Sequence, residues 1–215
     1  MICGVDEAGR GPVIGPLVVC GVSLTDDAPL VELGVKDSKM LNRRRREELA
    51  PKIMDLCRTE VLELPAEEID AIRARMTLNE AEAMLFARVV DRLSPRVAYV
   101  DAADASEKRF RELTKSRMRC DAEIVSRHRA DELYPVVSAA SIVAKVHRDR
   151  GMDLIQEELG VPVGSGYTSD PVTKTFMQTW LEEKGTLPPH VRRTWKTSQK
   201  LMNLNGIRRL DSFEG

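Results

Sequence analysis

The sequence predicts an α/β protein built on a mixed β-sheet flanked by helices, with a helical extension at the C-terminus. Two runs rich in Val and Ile, Ile2–Ala8 and Pro16–Leu24, come first with a Gly/Pro-rich turn between them, which predicts neighbouring antiparallel strands. Short apolar runs then alternate with helical segments, and the pattern after Pro135 is mostly helical. This order is typical of a layered α/β domain.

The remaining elements follow from periodicity and capping residues. Asn42 can cap a helix running to about Arg58, although Pro51 inside it removes a hydrogen bond. Three more strands are predicted: Thr59–Leu64, Arg96–Val100 and Ala122–Ser126. The other predicted helices are Ala66–Arg75, a helix opened by the capping box of Thr77 and Glu80 and running to Leu93, Ser106–Lys115, Val136–Leu159 and Pro171–Lys184.

The chain length sets the expected domain organisation. A chain of 215 residues fits one domain with a sizeable core, and no linker is visible. We therefore expect residues 1–215 to form a single domain. Within it, residues 171–205 would form a helical cap and residues 206–215 a flexible tail.

The composition is that of an ordinary soluble protein, with 42% hydrophobic and 31% charged residues. A net charge of -1 excludes a uniformly basic nucleic-acid binder, but seven Lys/Arg and no acids between Lys184 and Leu210 can build a basic face. The four cysteines lack Cys-x-x-Cys spacing, which favours buried thiols in a reducing compartment. No signal peptide and no run of about 18 apolar residues is visible, so we expect a cytoplasmic protein without a membrane span.

The most informative feature is the string Asp6-Glu7-Ala8-Gly9-Arg10-Gly11. Carboxylates at a strand end can bind Mg²⁺, which prefers oxygen ligands. Glycines let the backbone approach a ligand closely, and an arginine between them is suited to phosphate. The string therefore predicts chemistry on a phosphodiester.

Other carboxylates fall at comparable places. Asp101 follows the apolar run Val97–Val100, as Asp6 follows Ile2–Val5, and Asp131 lies between a strand and the long helix. Ligands of open α/β sheets bind beyond the carboxyl ends of strands, so Asp6 and Asp101 would meet if their strands are neighbours. Each acid alone fits a strand end or a cap; the set favours a metal site. Asp104 is an alternative to Asp101 but fits a helix cap region better. Glu7 can contribute only if its strand ends or twists there, or through its backbone carbonyl.

Six motifs occur in the order found in one known family. They are Asp6-Glu7-Ala8-Gly9-Arg10-Gly11, Lys36-Asp37-Ser38-Lys39, Tyr99-Val100-Asp101, Ala130-Asp131-Glu132-Leu133-Tyr134-Pro135, the stretch from Ser138 to Lys145, and the stretch from Gly164 to Pro171. Over nearly its whole length the chain resembles ribonuclease HII of the archaeal type. The resemblance implies an RNase H-like fold and a single catalytic domain.

The resemblance also implies the reaction: hydrolysis of the RNA strand in RNA–DNA hybrids, and incision 5′ of ribonucleotides embedded in duplex DNA. Two divalent ions, Mg²⁺ or Mn²⁺, about 3.5–4 Å apart would assist the displacement and leave 3′-hydroxyl and 5′-phosphate ends. The family's catalytic and metal-binding acids fall on Asp6, Glu7, Asp101 and Asp131. Substrate-binding positions fall on Gly9, Arg10, Gly11, Lys36, Lys39 and Tyr167. Tyr167 would stack at the RNA–DNA junction; its glycine-rich surroundings predict an exposed loop rather than a core position.

Two other functions remain open at this point. A module that binds hybrids without cutting them is disfavoured by the clustered acids, which repel phosphate unless cations intervene. An ATP-hydrolysing phosphotransferase of related fold is disfavoured because no P-loop sequence is present.

The C-terminal region offers two further hypotheses. Arg192, Arg193 and Lys196, around a core Trp195, can form a second nucleic-acid contact patch.

The last residues suggest a partner. Leu210 and Phe213 resemble the hydrophobic end of a sliding-clamp-binding peptide, although Ile207 stands where such peptides usually have Gln. The alternative is a frayed tail on a monomeric enzyme.

Overall fold

The structure is a computed structural model that describes residues 1–35 and 41–211, with side chains as far as residue 203. Its strands are β1 (Ile2–Ala8), β2 (Leu17–Leu24), β3 (Arg58–Leu64), β4 (Val97–Asp101) and β5 (Glu123–Arg127). Its helices are α1 (Ala28–Leu33), α2 (Arg43–Leu56), α3 (Ala66–Arg73), α4 (Leu78–Leu93), α5 (Glu107–Lys115), α6 (Ala130–Leu133), α7 (Pro135–Leu159), α8 (Pro171–Lys184) and α9 (Lys196–Asp211).

The five strands form one mixed sheet in the order β3-β2-β1-β4-β5. Strand β1 pairs antiparallel with β2, as the sequence predicts, and parallel with β4, which in turn pairs parallel with β5. In this register Val5 lies opposite Val100. The predicted mixed sheet flanked by helices is confirmed.

The chain forms two compact units that interleave along the sequence. The first consists of Met1–Ala8, Val18–Glu63 and Met76–Arg148. The second consists of Gly9–Leu17, Leu64–Arg75 and Asp149–Gly215.

In the first unit, β1 lies very close to the start of α7. A Cβ atom at Gly4 would fall 2.3–2.4 Å from the backbone of Val136 and Val137, so only glycine fits there. The next turns of α7 carry the small residues Ala139 and Ala140, both fully buried. This close packing explains why the Ser/Ala-rich stretch of the sequence forms the buried face of a helix.

Capping residues set several helix boundaries as predicted. The side chain of Asn42 accepts a hydrogen bond of 2.9 Å from the backbone N–H of Arg45, and α2 tolerates Pro51 in its interior. Thr77 and Glu80 form the predicted capping box of α4. The short helices α1 and α6 were not predicted, because six and four residues are too few to show a helical period.

The second unit has its own apolar cluster, in which Ile14, Met152, Phe176 and Val191 are buried. Asp170 caps α8 by accepting the backbone N–H of Val172 at 2.9 Å. Among the described residues, no helix combines the length and the apolar character that crossing a membrane requires.

Candidate active site

Two carboxylates directly follow the segment in which the central strands β1 and β4 pair in parallel. Val5 of β1 is in register with Val100 of β4, so Asp6 and Asp101 occupy the next position on each strand. Residues opposite each other on neighbouring strands share a face of the sheet, with strands about 4.8 Å apart. Asp6 is only 5% exposed, whereas Asp101 is half-buried.

The electrostatic environment of Asp6 is that of a crowded acidic site. Burial raises the pKa of the Asp6 carboxyl well above its usual value, and the negative charges of Glu7 and Asp101 raise it further. The Ser141 hydroxyl and the Lys145 ammonium on α7 oppose that rise. Strong perturbation by burial together with neighbouring carboxylates is characteristic of functional sites.

The segment that carries Asp131 is attached to Asp101 by a hydrogen bond from the preceding residue, Ala130. The Asp101 carboxylate accepts the backbone N–H of Ala130 at 3.0 Å, which fixes the start of α6 against the end of β4. Arg129, just before it, takes the left-handed conformation at φ +57°, and Asp131 follows with 4% exposure. One backbone contact thus links the segments that carry Asp101 and Asp131.

Asp104 has a structural role, as the sequence suggests. One carboxylate oxygen accepts the backbone N–H of Ser106 at 2.9 Å, and the other accepts the side-chain amide of Asn79 at 2.7 Å. The carboxylate thereby ties the start of α5 to the start of α4.

The carboxylates of the first unit are suited to binding a divalent cation, although they do not form a complete metal site. Within residues 1–35 and 41–203, whose side chains the structure describes, no three Asp, Glu, His or Cys side chains have the arrangement of a formed metal site. The carboxylates of Asp6, Glu7 and Asp101 are hard oxygen donors whose mutual repulsion a cation would relieve. β1 stays paired with β2 through Ala8, so the strand does not end at Glu7. The backbone carbonyl of Glu7 remains an alternative to its carboxylate as a ligand.

In the second unit, the backbone of the Gly-Arg-Gly loop is held by a buried arginine. The guanidinium of Arg192 donates to the carbonyl oxygens of Gly9 at 2.5 Å, Arg10 at 3.0 Å and Gly15 at 3.0 and 3.1 Å. Gly9 has φ +84°, a conformation that favours glycine. The loop is therefore positioned by several hydrogen bonds from one side chain.

The prediction that Arg192 belongs to a nucleic-acid contact patch around Trp195 is wrong. Arg192 is fully buried, and its guanidinium donates hydrogen bonds to backbone carbonyls. Arg193 and Lys196 are exposed. Trp195 is only partly buried; it stacks on the guanidinium of Arg192, with 4.8 Å between the arginine carbon and the ring centre. The sequence does not indicate that Arg192 holds the glycine loop, because an arginine in a basic stretch is typical of the protein surface.

Tyr167 lies on the same unit as the glycine loop and beside it. A Cβ atom at Gly11 would be 3.5 Å from the Tyr167 ring, and the Trp195 indole donates to the Gly11 carbonyl at 3.3 Å. The carbonyl of Gly166 accepts the backbone N–H of Val13 at 2.8 Å, which joins the two loops. With 41% of its surface exposed, Tyr167 is on an open loop, as the sequence predicts. Lys36 and Lys39 lie outside the described residues.

Comparisons with known proteins identify the family of the chain. The family profile of ribonuclease HII matches residues 3–198. A ribonuclease HII of Methanocella arvoryzae is 46% identical over 204 residues, which cover 94% of this chain and 91% of the relative.

Two solved structures are similar in fold and sequence. Ribonuclease H2 of Pyrococcus horikoshii has a TM-score of 0.88 and 42% identity, covering 95% of this chain and 98% of that one. The ribonuclease HII of Archaeoglobus fulgidus, solved in a complex with PCNA, has a TM-score of 0.86 and 46% identity, covering 94% of this chain and 96% of that one. The profile match, the sequence identity and the shared RNase H fold together place this chain in the ribonuclease HII family.

Proposed function

We propose that this chain hydrolyses the RNA strand of RNA–DNA hybrids and incises 5′ of single ribonucleotides in duplex DNA, leaving 3′-hydroxyl and 5′-phosphate ends. The observation that carries the proposal is the pair Asp6 and Asp101, which directly follow the paired residues Val5 and Val100 of two neighbouring parallel strands in a member of the ribonuclease HII family. As a family member the chain is an endoribonuclease, so a non-cleaving module and an ATP-hydrolysing phosphotransferase are not favoured.

Dependence on a divalent metal follows from the family, and we propose two ions, Mg²⁺ or Mn²⁺, held by Asp6, Glu7, Asp101 and Asp131. Such ions activate water and stabilise charge on the phosphate and the leaving oxygen. Glu7 would contribute its carboxylate or its backbone carbonyl. Asp6 would be ionised when ions are bound, because the cations offset the repulsion and burial that raise the pKa of its carboxyl.

The second unit supplies groups suited to substrate recognition. Backbone groups of Gly9, Arg10 and Gly11 would read the 2′-hydroxyl, which distinguishes RNA from DNA at a given nucleotide. The exposed ring of Tyr167 would stack on the adjoining deoxyribose, and its position beside Gly11 supports a joint role. Lys36 and Lys39 remain candidates for phosphate contact, as do the exposed Arg193 and Lys196.

The proposed reaction can be tested on a labelled duplex that contains one ribonucleotide. Wild-type protein should cut 5′ of the ribonucleotide in Mg²⁺ or Mn²⁺ and be inactive in EDTA. The fragments should carry 3′-hydroxyl and 5′-phosphate ends. Asp101→Asn should abolish cutting, while Asp121→Asn, the same charge change at an exposed loop position, should not. Cutting in EDTA, or products ending in a 2′,3′-cyclic phosphate, would contradict the proposal.

We propose as well that the C-terminal tail binds a sliding clamp through Leu210 and Phe213. Phe213 and the side chain of Leu210 lie outside the described residues, so the support is the tail sequence together with the Archaeoglobus relative solved in complex with PCNA. Phe213→Ala should abolish co-elution with the clamp and leave incision of free duplex unchanged. Equal co-elution of variant and wild type would remove the tail from clamp binding.

A single sedimenting species at the mass of one chain would support the proposed monomer.

A further inference from the structure

A depression of about 350 Å³ on the first unit is lined mainly by arginines. It lies between the second half of α4 and the loop that follows α5. Its lining residues are Met84, Arg88, Asp91, Arg92, Arg117 and Arg119. Four guanidinium groups and one carboxylate thus line a single hollow, which we call the arginine pocket, in a protein whose net charge is only -1.

The carboxylate in the pocket holds its wall in place. The side chain of Asp91 accepts the backbone N–H groups of Arg119 at 2.8 Å and Cys120 at 2.9 Å, which binds the loop to α4. Burial raises the pKa of Asp91, but these hydrogen bonds outweigh it and hold the pKa below its usual value. Phe86 and Phe110 pack edge to face between the two helices, with ring centres 5.2 Å apart. The pocket therefore stands on rigid elements.

The four arginines differ in how far their donors are already used. Arg92 forms an ion pair with Glu60 and also suits the negative end of the α4 dipole. Arg117 donates to a backbone carbonyl near the end of α5 at 3.0 Å. Across the part of the chain that the structure describes, the side chains of Arg88 and Arg119 make no hydrogen bond or ion pair, although the positive charge of Arg119 helps to lower the pKa of Asp91. Helix capping does not explain either of these two.

The chemistry of the lining identifies the class of ligand. A guanidinium presents a planar fork of donors that binds phosphate through two hydrogen bonds at once. Several such groups of one sign in a concave site attract an anion that carries more than one charge. The volume lies within the range of pockets for small ligands or ligand groups. We propose that the arginine pocket binds phosphate groups, those of a nucleic-acid backbone or of a free nucleotide.

The pocket is distinct from the acidic cluster in the same unit. Arg92 is near the C-terminal end of α4, a few residues before β4 begins, whereas Asp101 is the last residue of β4. The five residues of β4 rise about 3.3 Å each, so the start of β4, near Arg92, lies roughly 15 Å from its end at Asp101. Phosphate binding here can be measured without any cleavage, so it does not depend on the proposed function.

The test compares two variants that lose the same charge. Arg88→Ala with Arg119→Ala removes the two arginines of the pocket whose donors are not in use. Arg111→Ala with Lys115→Ala removes two cations from exposed positions on α5 outside the pocket. In EDTA, calorimetry with pyrophosphate and with a nucleoside diphosphate measures free phosphate compounds. Fluorescence anisotropy with a labelled RNA–DNA hybrid, at several salt concentrations, measures backbone binding.

The proposal predicts that the pocket variant binds at least one of these probes about tenfold more weakly than the control variant does. A loss confined to pyrophosphate and the nucleotide identifies a free nucleotide as the ligand. A loss confined to the hybrid, with a salt dependence smaller by about one unit per lost contact, identifies a nucleic-acid backbone. Equal binding of every probe by the two variants, both folded by circular dichroism, would overturn the proposal. Arg88→Lys with Arg119→Lys, which keeps the charge but loses the fork, should bind with intermediate affinity.

Discussion

The guanidinium of Arg192 donates a hydrogen bond of 2.5 Å to the backbone carbonyl of Gly9, a residue 183 positions earlier in the chain. Because the same side chain also serves the carbonyls of Arg10 and Gly15, it spans the loop that carries the Gly-Arg-Gly motif. A buried arginine engaged in this way fixes where the backbone groups of the loop point. We therefore regard Arg192 as a positioning residue for the proposed reading of the 2′-hydroxyl.

Replacing Arg192 should damage recognition more than the acidic site. Arg192→Met would leave several buried carbonyls without their donor, and we expect a loss of about 3 kcal/mol in the free energy of unfolding. We also expect KM for a single-ribonucleotide duplex to rise more than kcat falls. Arg150→Met, at an exposed arginine of α7 in the same unit, is the matched control and should change neither quantity much. Unfolding by denaturant and steady-state kinetics measure both, and wild-type values for Arg192→Met would remove it from loop positioning.

Asp6→Asn should stabilise the metal-free protein while abolishing cleavage. The substitution removes a buried negative charge that Glu7 and Asp101 repel. We therefore expect a higher Tm than wild type at pH 7.5 in EDTA. Added Mg²⁺ or Mn²⁺ should raise the Tm of wild type and reduce the difference.

The sign of the pH dependence follows from the raised pKa of Asp6. A carboxyl whose pKa is higher in the folded state than in the unfolded state weakens folding once the pH exceeds its usual value of 3.8. The Tm advantage of Asp6→Asn should therefore shrink as the pH falls towards about 4. An advantage independent of pH, or a variant less stable than wild type at pH 7.5, would show that Asp6 is not held in a repulsive buried site.

The acidic site is easier to predict from the sequence than the hydrogen bonds that hold the Gly-Arg-Gly loop. Asp6 and Asp101 each follow a short apolar run that predicts a strand, and the parallel pairing of β1 with β4 then brings the two residues to neighbouring positions. The hydrogen bonds from Arg192 to the glycine loop join residues far apart in the chain. They depend on the burial of Arg192, which the local sequence pattern does not reveal.

The fold shows the same division. Long elements with strong periods or caps, such as α4 with its capping box, were predicted closely. Helices α1 and α6 were missed because each spans fewer than two turns. The close contact of Gly4 with α7 is a tertiary contact that the sequence does not predict, since a glycine in a strand can equally indicate a bulge.

Gly4→Ala should be among the most damaging single substitutions in the first unit. Its added methyl group would meet the backbone of Val136 and Val137 at 2.3–2.4 Å, and backbone cannot move aside as a side chain can. We expect a loss of more than about 4 kcal/mol, or insoluble protein. Gly34→Ala is the control: it has open space around it but φ +75°, so a loss of about 1 kcal/mol is expected. Similar thermal stability of the two variants would contradict the packing described for β1 and α7.

Tyr167 should matter for substrate choice and little for stability. Because its ring is 41% exposed, Tyr167→Ala should change the Tm only slightly. It should slow incision at single ribonucleotides by tenfold or so, about what one aromatic stacking contact contributes, and slow cutting of long hybrids less. Tyr167→Phe retains the ring and should stay close to wild type. Competition between the two substrates in one reaction measures the effect, and an equal slowing of both would argue against junction recognition.

Binding of Mn²⁺ measured by calorimetry, with no nucleic acid present, tests most directly whether Asp6 and Asp101 form one cation site. We expect wild type to bind the ion, Asp6→Asn and Asp101→Asn to bind at least tenfold more weakly, and Asp104→Asn to bind like wild type because its carboxylate serves the starts of α4 and α5. Unchanged affinity in both Asp6→Asn and Asp101→Asn would contradict the account.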